Sequence, residues 1–220
     1  MSPFTTAADP HANQPLLTAG PAPEVAPATI ILLHGRGASA ESILSLIDPL
    51  EAHDCAALAP QASGHTWYPH SFLAHLDANQ PFLNSALARV RTLIDNLLAR
   101  GVPSERIILL GFSQGACLAS ESAARNPRRY GTVIAFTGGL IGPPGTPRDY
   151  AGSFENTPVF LGASDPDPHV PFARVQETAD TFSRMGARVE LRRYPGLPHT
   201  INEDEIAAAS KLIRRIASTK

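Results

Sequence analysis

The chain has 220 residues, 43% of them hydrophobic and 17% charged, with a formal net charge of -2. That length supplies one domain with a substantial core and is too short for two comfortable ones. The balanced charge excludes a surface of massed Lys and Arg for nucleic acid, because the basic residues fall in short pairs such as Arg128-Arg129, Arg192-Arg193 and Arg214-Arg215.

In chain order, residues 1-13 are rich in Thr, Ala, Asp and Pro and read as a poorly ordered arm. They hold no basic stretch followed by an apolar run, so no secretory leader is expected. Gln14 to Thr18 reads as a short edge strand, and the prolines from Gly20 to Pro27 exclude a central strand there. Residues 1-27 thus form an arm and an edge strand, and 28-220 the domain. Thr29-Ile30-Ile31-Leu32-Leu33 is a continuous β-rich run, the mark of a strand buried on both faces. Ser39 to Ala52 has a helical period in Ile43, Leu46, Ile47 and Leu50, with Ser39 as N-cap and Pro49 closing the last turn. Cys55 to Ala59 is a second buried strand, followed by a long polar and aromatic loop over residues 61-80. Phe82 to Arg100 is a helix with one apolar face, and Gly101 stands where a terminating glycine belongs.

Ile107 to Leu110 is a third strand, Gln114 to Arg125 a helix, and Thr132 to Phe136 a strand. After a Gly/Pro-rich loop at 138-156 come a strand at Val159 to Leu161, a helix from Pro171 to Met185, a strand from Val189 to Tyr194 and a helix from Glu203 to Ala217. Such alternation predicts an α/β fold: one mostly parallel sheet with helices on both faces and no separate lid domain. Cys55 and Cys117 both lie in apolar runs and read as buried thiols, which suits a reducing compartment. No apolar run approaches the roughly 18 residues that span a membrane. A cytoplasmic location is expected.

The chemistry concentrates in Gly111-Phe112-Ser113-Gln114-Gly115. It is a G-x-S-x-G placed between a predicted strand and a predicted helix, the context that makes Ser113 a nucleophile. A serine on so tight a turn needs small neighbours two residues away, and the helix that follows aims its N-terminus at developing negative charge. A hydroxyl needs a base, and in α/β-hydrolases the chain order is serine, acid, histidine. Of the two histidines after Ser113, His199 lies in the loop leaving the last strand, where the base belongs, and His169 sits too near the acids in sequence. Two carboxylates compete for the third place. Asp165 is three residues past Gly162 and Asp167 four before Pro171, and a two-residue insertion leaves the choice open. Asp165 is favoured narrowly because the exit from a strand is stiffer than the loop beyond it. The oxyanion donors are expected to be the Gln114 N–H and, from His34-Gly35-Arg36-Gly37 after the first buried strand, the Arg36 N–H.

The motifs L-L-H-G-R-G, A-P-Q followed by T-W-Y, G-F-S-Q-G, D-P-H-V-P and G-x-P-H-T run in that order from Thr29 onward. In them the chain resembles the phospholipase/carboxylesterase family of α/β-hydrolases, which includes acyl-protein thioesterases. The resemblance implies hydrolysis of small-molecule carboxylic esters or thioesters through an acyl-enzyme, without metal or other cofactor, and often a homodimer. It supports Ser113, His199, an acid at Asp165 or Asp167, and the Arg36 and Gln114 amides. Short- to medium-chain esters are expected, with lysophospholipids and thioesters as further candidates.

Trp67, Tyr68 and Phe72 in one loop and Leu140 in another are the expected walls of an open, apolar cleft. His65, His70 and His75 recur every five residues, which puts them on no common helical face, so no metal site is expected. Two other readings compete. One is lactone opening of the dienelactone hydrolase kind, disfavoured by serine rather than cysteine at the elbow. The other is a non-catalytic binding module, disfavoured by the intact order of triad residues.

Overall fold

The computed structural model describes residues 9–218. Seven strands form one sheet: β1 (Leu16–Ala19), β2 (Thr29–Leu33), β3 (Ala56–Pro60), β4 (Ile107–Phe112), β5 (Thr132–Phe136), β6 (Pro158–Asp165) and β7 (Arg188–Pro195). Their spatial order is β1-β3-β2-β4-β5-β6-β7, with β1 antiparallel to β3 and every other pair parallel. β2, β4 and β5 are buried along their length except at Phe112, which explains their unbroken apolar runs. Edge strand β7 instead carries Arg188, Glu190, Arg192 and Arg193, charges that discourage a second chain from pairing there.

The helices are α1 (Ala40–Leu44), α2 (Phe82–Ala99), α3 (Gln114–Arg125), α4 (Phe172–Arg184) and α5 (Glu203–Ala217). α2, α3 and α4 cover one face, packing on Ile31, Leu33, Leu109, Val133 and Leu161. α1 and α5 cover the other, packing on Ile30, Leu32, Ile108, Leu110 and Ile134. Successive strand residues thus serve opposite cores, as the two-residue period of a strand requires. Together these elements form an α/β-hydrolase fold.

The topology dictates where a site can form. From β2 the chain moves outward to β3 and then returns to the far side of β2 as β4. Loops leaving β2 and β4 therefore diverge, and an open α/β sheet binds ligands in such a crevice beyond its carboxyl edge. β6 and β7 end on the same edge, at Asp165 and Pro195.

Two expectations differ from the structure. The helix expected from Ser39 to Ala52 is only α1 plus a tight turn of helix at Ser45–Ile47; Ser39 caps it through a reciprocal bond with Ser42. The arm is also not loose from Asp9 onward. His11 is fully buried, its Nε2 donating to the Trp67 carbonyl (3.0 Å) and its Nδ1 accepting from the Ser63 N–H (3.1 Å). Residues 1–8 lie outside the described part. Among the described residues no helix is long and apolar enough to cross a membrane.

Candidate active site

Ser113 sits between β4 and α3 with φ 55° and ψ -118°, outside the regions an L-residue prefers. The glycines on either side make this turn possible. A Cβ on Gly111 would collide with the Gly115 carbonyl, and one on Gly115 would collide with the Leu33 carbonyl of β2. The Ser113 N–H is held by the Phe136 carbonyl at 2.9 Å, so the strain is carried by the sheet.

His199 arrives from the loop between β7 and α5. That loop is tied down where the Ser164 hydroxyl donates to the Pro198 carbonyl (2.7 Å) and the Gly196 N–H to the Asp165 carbonyl (2.8 Å). The imidazole is flanked by the rings of Phe112 and His169, at 5.2 and 5.0 Å between centroids. Its Nε2 lies 2.8 Å from Ser113 Oγ and its Nδ1 lies 2.6 Å from Asp167 Oδ2. With Nδ1–H donating to the carboxylate, Nε2 is left free to accept the serine proton.

The leaning toward Asp165 does not match this geometry. Asp165, the last residue of β6, pairs with Arg193 of the neighbouring β7. The polypeptide needs two more residues to turn back, and Asp167 makes the contact. Its Oδ1 accepts the N–H groups of His169 (2.7 Å) and Val170 (2.8 Å), and its side chain is closed to solvent. Burial pushes this carboxyl up, but the bonds from His199 and the two amides outweigh it and hold it below the usual carboxylate value.

A cleft of about 460 Å³ opens over Ser113, walled by Gly35, Arg36, Tyr68, Phe72, Cys117 and Val170, with His70 and His169 at its mouth. Neither the Arg36 nor the Gln114 backbone N–H has a hydrogen-bond partner among the described residues. The Arg36 guanidinium donates to the Pro69 (2.8 Å) and His70 (2.6 Å) carbonyls, fixing the glycine-rich turn against the opposite loop. His34 supports the same turn from beneath. Its Nε2 accepts the Ala62 N–H (3.1 Å), which leaves Nδ1–H to donate to the Gly35 carbonyl (2.8 Å). Burial pushes the His34 pKa down, so the ring stays neutral.

Two expected wall residues are elsewhere. Trp67 is fully buried and faces away from the cleft; its Nε1–H donates to the His34 carbonyl (2.9 Å). Leu140 is fully buried in the core on the α2, α3 and α4 side. Tyr68 and Phe72 do line the cleft. The structure also assigns work to the Gln114 side chain. Its Oε1 accepts the Trp67 N–H (2.9 Å) and the Thr66 hydroxyl (3.2 Å), and its Nε2 donates to the Tyr68 carbonyl (2.8 Å). One side chain therefore clips the aromatic loop to the elbow. The neighbouring T-W-Y and G-F-S-Q-G motifs carry no local sign of that pairing.

The model of the phospholipase/carboxylesterase family matches residues 21–217. The chain belongs to the phospholipase/carboxylesterase family. As a member it is an enzyme of carboxylic ester hydrolysis. Acyl-protein thioesterase 1 of Saccharomyces cerevisiae is 29% identical, the match covering 87% of this chain and 93% of the relative. Acyl-protein thioesterase 1 of Debaryomyces hansenii is 30% identical over 56% of this chain, and that match spans 53% of the relative's length. Among solved structures, the phospholipase/carboxylesterase from Dyadobacter fermentans is 46% identical with a TM-score of 0.88, covering 91% of this chain and 96% of its own. Arabidopsis thaliana SOBER1, at 21% identity and a TM-score of 0.73, covers 86% of this chain and 98% of its own and shares the fold.

Proposed function

We propose that this family member is a serine carboxylesterase acting on short- to medium-chain carboxylic esters, with Ser113 as nucleophile, His199 as base and Asp167 as the acid. The observation that carries this reading is the unbroken line from Ser113 Oγ to His199 Nε2 (2.8 Å) and from His199 Nδ1 to Asp167 Oδ2 (2.6 Å). As Oγ attacks the ester carbonyl, His199 takes its proton, and the Arg36 and Gln114 N–H groups receive the oxyanion. Collapse of the tetrahedral intermediate expels the alkoxide, which leaves with the proton from His199. Water, deprotonated by the same imidazole, then attacks the acyl-enzyme and releases the acid. Asp167 holds the tautomer and stabilises the imidazolium without taking the proton.

The cleft volume and its apolar walls suit a modest acyl group rather than a long lipid tail. Thioesters and lysophospholipids react by the same steps and remain arms of the test. Two unpaired buried thiols, Cys55 and Cys117, agree with a reducing, cytoplasmic setting. The test has two parts. A fluorophosphonate should add one adduct at Ser113 by intact mass, and Ser113→Ala should abolish it. A panel of p-nitrophenyl esters from C2 to C12, beside an acyl thioester, a lysophospholipid and a lactone, should then peak at short to medium esters. An unlabelled Ser113 with no ester turnover would overturn the reading in favour of a binding module, and lactone preference would overturn the substrate class.

A further inference from the structure

The walls of the cleft carry charge of one sign. Beside the catalytic His199, its basic side chains are Arg36, His70 and His169, and no Asp or Glu lines it. Composition does not explain this, because the chain holds 20 Asp and Glu against 18 Lys and Arg. The two carboxylates that follow β6 are both engaged elsewhere. Asp167 is closed to solvent and bonded to His199, and Asp165 is paired with Arg193. His70 and His169 can add positive charge to the mouth by taking a proton, and neither can add negative charge.

Arg36 is the fixed cation of this wall. Its side chain is exposed, and its guanidinium is held by the carbonyls of Pro69 (2.8 Å) and His70 (2.6 Å), two residues that themselves line the cleft. The same group lies 6.0 Å from the ring centre of Tyr68, a third lining residue. Carbonyl oxygens steady a guanidinium without cancelling its charge, and Arg36 has no carboxylate partner among the described residues. Those two bonds use two of its five N–H groups. A charge held in this way costs little further side-chain entropy when a ligand arrives. Set in the wall of a concave, largely apolar site, it is felt more strongly than on an open surface.

We propose that the cleft selects esters that carry a carboxylate, and that the Arg36 side chain is the specificity determinant that recognises it. This rests on the esterase reading above and deepens it from ester to anionic ester. One fixed cation matches one negative charge, which favours a carboxylate over a doubly charged phosphate. The carboxylate can sit on the acyl part or on the alcohol part of the ester, and the two sources are separate arms of the test.

The acyl arm compares the mono-p-nitrophenyl ester of adipic acid with its neutral methyl ester. The alcohol arm compares p-acetoxybenzoate with methyl p-acetoxybenzoate. The readout in each arm is the ratio of kcat/KM for the anionic ester to that for the neutral one. Taking the ratio in a variant against that in wild type cancels the reagents' own reactivities and any slackening of the glycine-rich turn, which slows both esters alike. In the arm that matches the natural substrate, Arg36→Gln should lower the ratio about 5-fold, and Arg36→Lys, which keeps the charge, should stay near wild type. In wild type the same ratio should fall several-fold as NaCl rises from about 0.02 M to about 0.5 M, because salt screens the attraction. A ratio unchanged by Arg36→Gln in both arms overturns the proposal. So does an Arg36→Lys ratio as low as that of Arg36→Gln, since the charge is then not the cause. Should the variants fold poorly, the salt series on wild type decides, and a ratio indifferent to salt in both arms overturns the proposal. Failure of the esterase reading looks different: wild type then turns over neither member of either pair and leaves Ser113 unlabelled by the fluorophosphonate.

Discussion

Glu205 offers a stability test that does not depend on catalysis. It lies in the first turn of α5, 1% exposed, and forms a reciprocal cap with Asn202: Glu205 Oε2 accepts the Asn202 N–H at 2.9 Å. Its other oxygen packs on the β6 backbone, where a Cβ on Gly162 would collide with it, and has no hydrogen-bond partner among the described residues. Burial pushes the carboxyl from 4.5 up to about 7, with Asp204 alongside adding to the rise. The folded protein therefore keeps a proton that the unfolded chain releases. Stability from this group is fully present below about pH 4.5, falls as pH rises, and levels off above about pH 7. At about 1.4 kcal/mol for each tenfold difference, the loss amounts to roughly 3 kcal/mol. Glu205→Gln keeps the capping acceptor and removes the titration. Urea unfolding of both proteins at intervals from pH 4.5 to 8 should show the variant gaining on wild type by roughly 3 kcal/mol across that range. Taking the difference cancels the buried histidines His11 and His34, whose lowered pKa values act in the opposite direction. Parallel curves, with no change in the difference across pH, would refute the reasoning.

Three further outcomes are expected. Trp67→Phe removes the donor to the His34 carbonyl and leaves a void, so it should cost about 1–3 kcal/mol in urea unfolding, with a smaller change in KM. Gln114→Ala keeps the backbone N–H but strands the Trp67 N–H and leaves the Tyr68 carbonyl only the Thr66 hydroxyl, and should lower both stability, by about 2 kcal/mol, and kcat. Gly115→Ala drives a methyl into the Leu33 carbonyl and should leave little soluble protein, read by expression and circular dichroism against wild type.

How much of this was legible in the sequence depends on the range of the cause. β2, α3, β5 and the α5 span follow from local patterns, and their residue ranges match the expected ones. The elbow is legible because its constraint is local, two glycines crowded against Ser113. Which carboxylate meets His199 is not, because Asp167 makes that contact while Asp165 pairs with Arg193, a residue of the next strand. Trp67 and Tyr68 are adjacent and both aromatic, yet one packs beneath His34 and the other lines the cleft. That split is made by Gln114 and His34, dozens of residues away in the chain. His11 sits in a polar, proline-containing stretch, and only the distant Ser63 and Trp67 make it part of the core.

The relay from serine through imidazole to carboxylate is tested most directly by kcat/KM on p-nitrophenyl butyrate for Asp167→Asn and Asp165→Asn, side by side. Loss of the aspartate that sets the tautomer should cost on the order of 10³–10⁴ at Asp167, while Asp165→Asn, which only loosens a pair with Arg193, should stay within a few-fold of wild type. Equal losses, or a larger loss at Asp165, would contradict it.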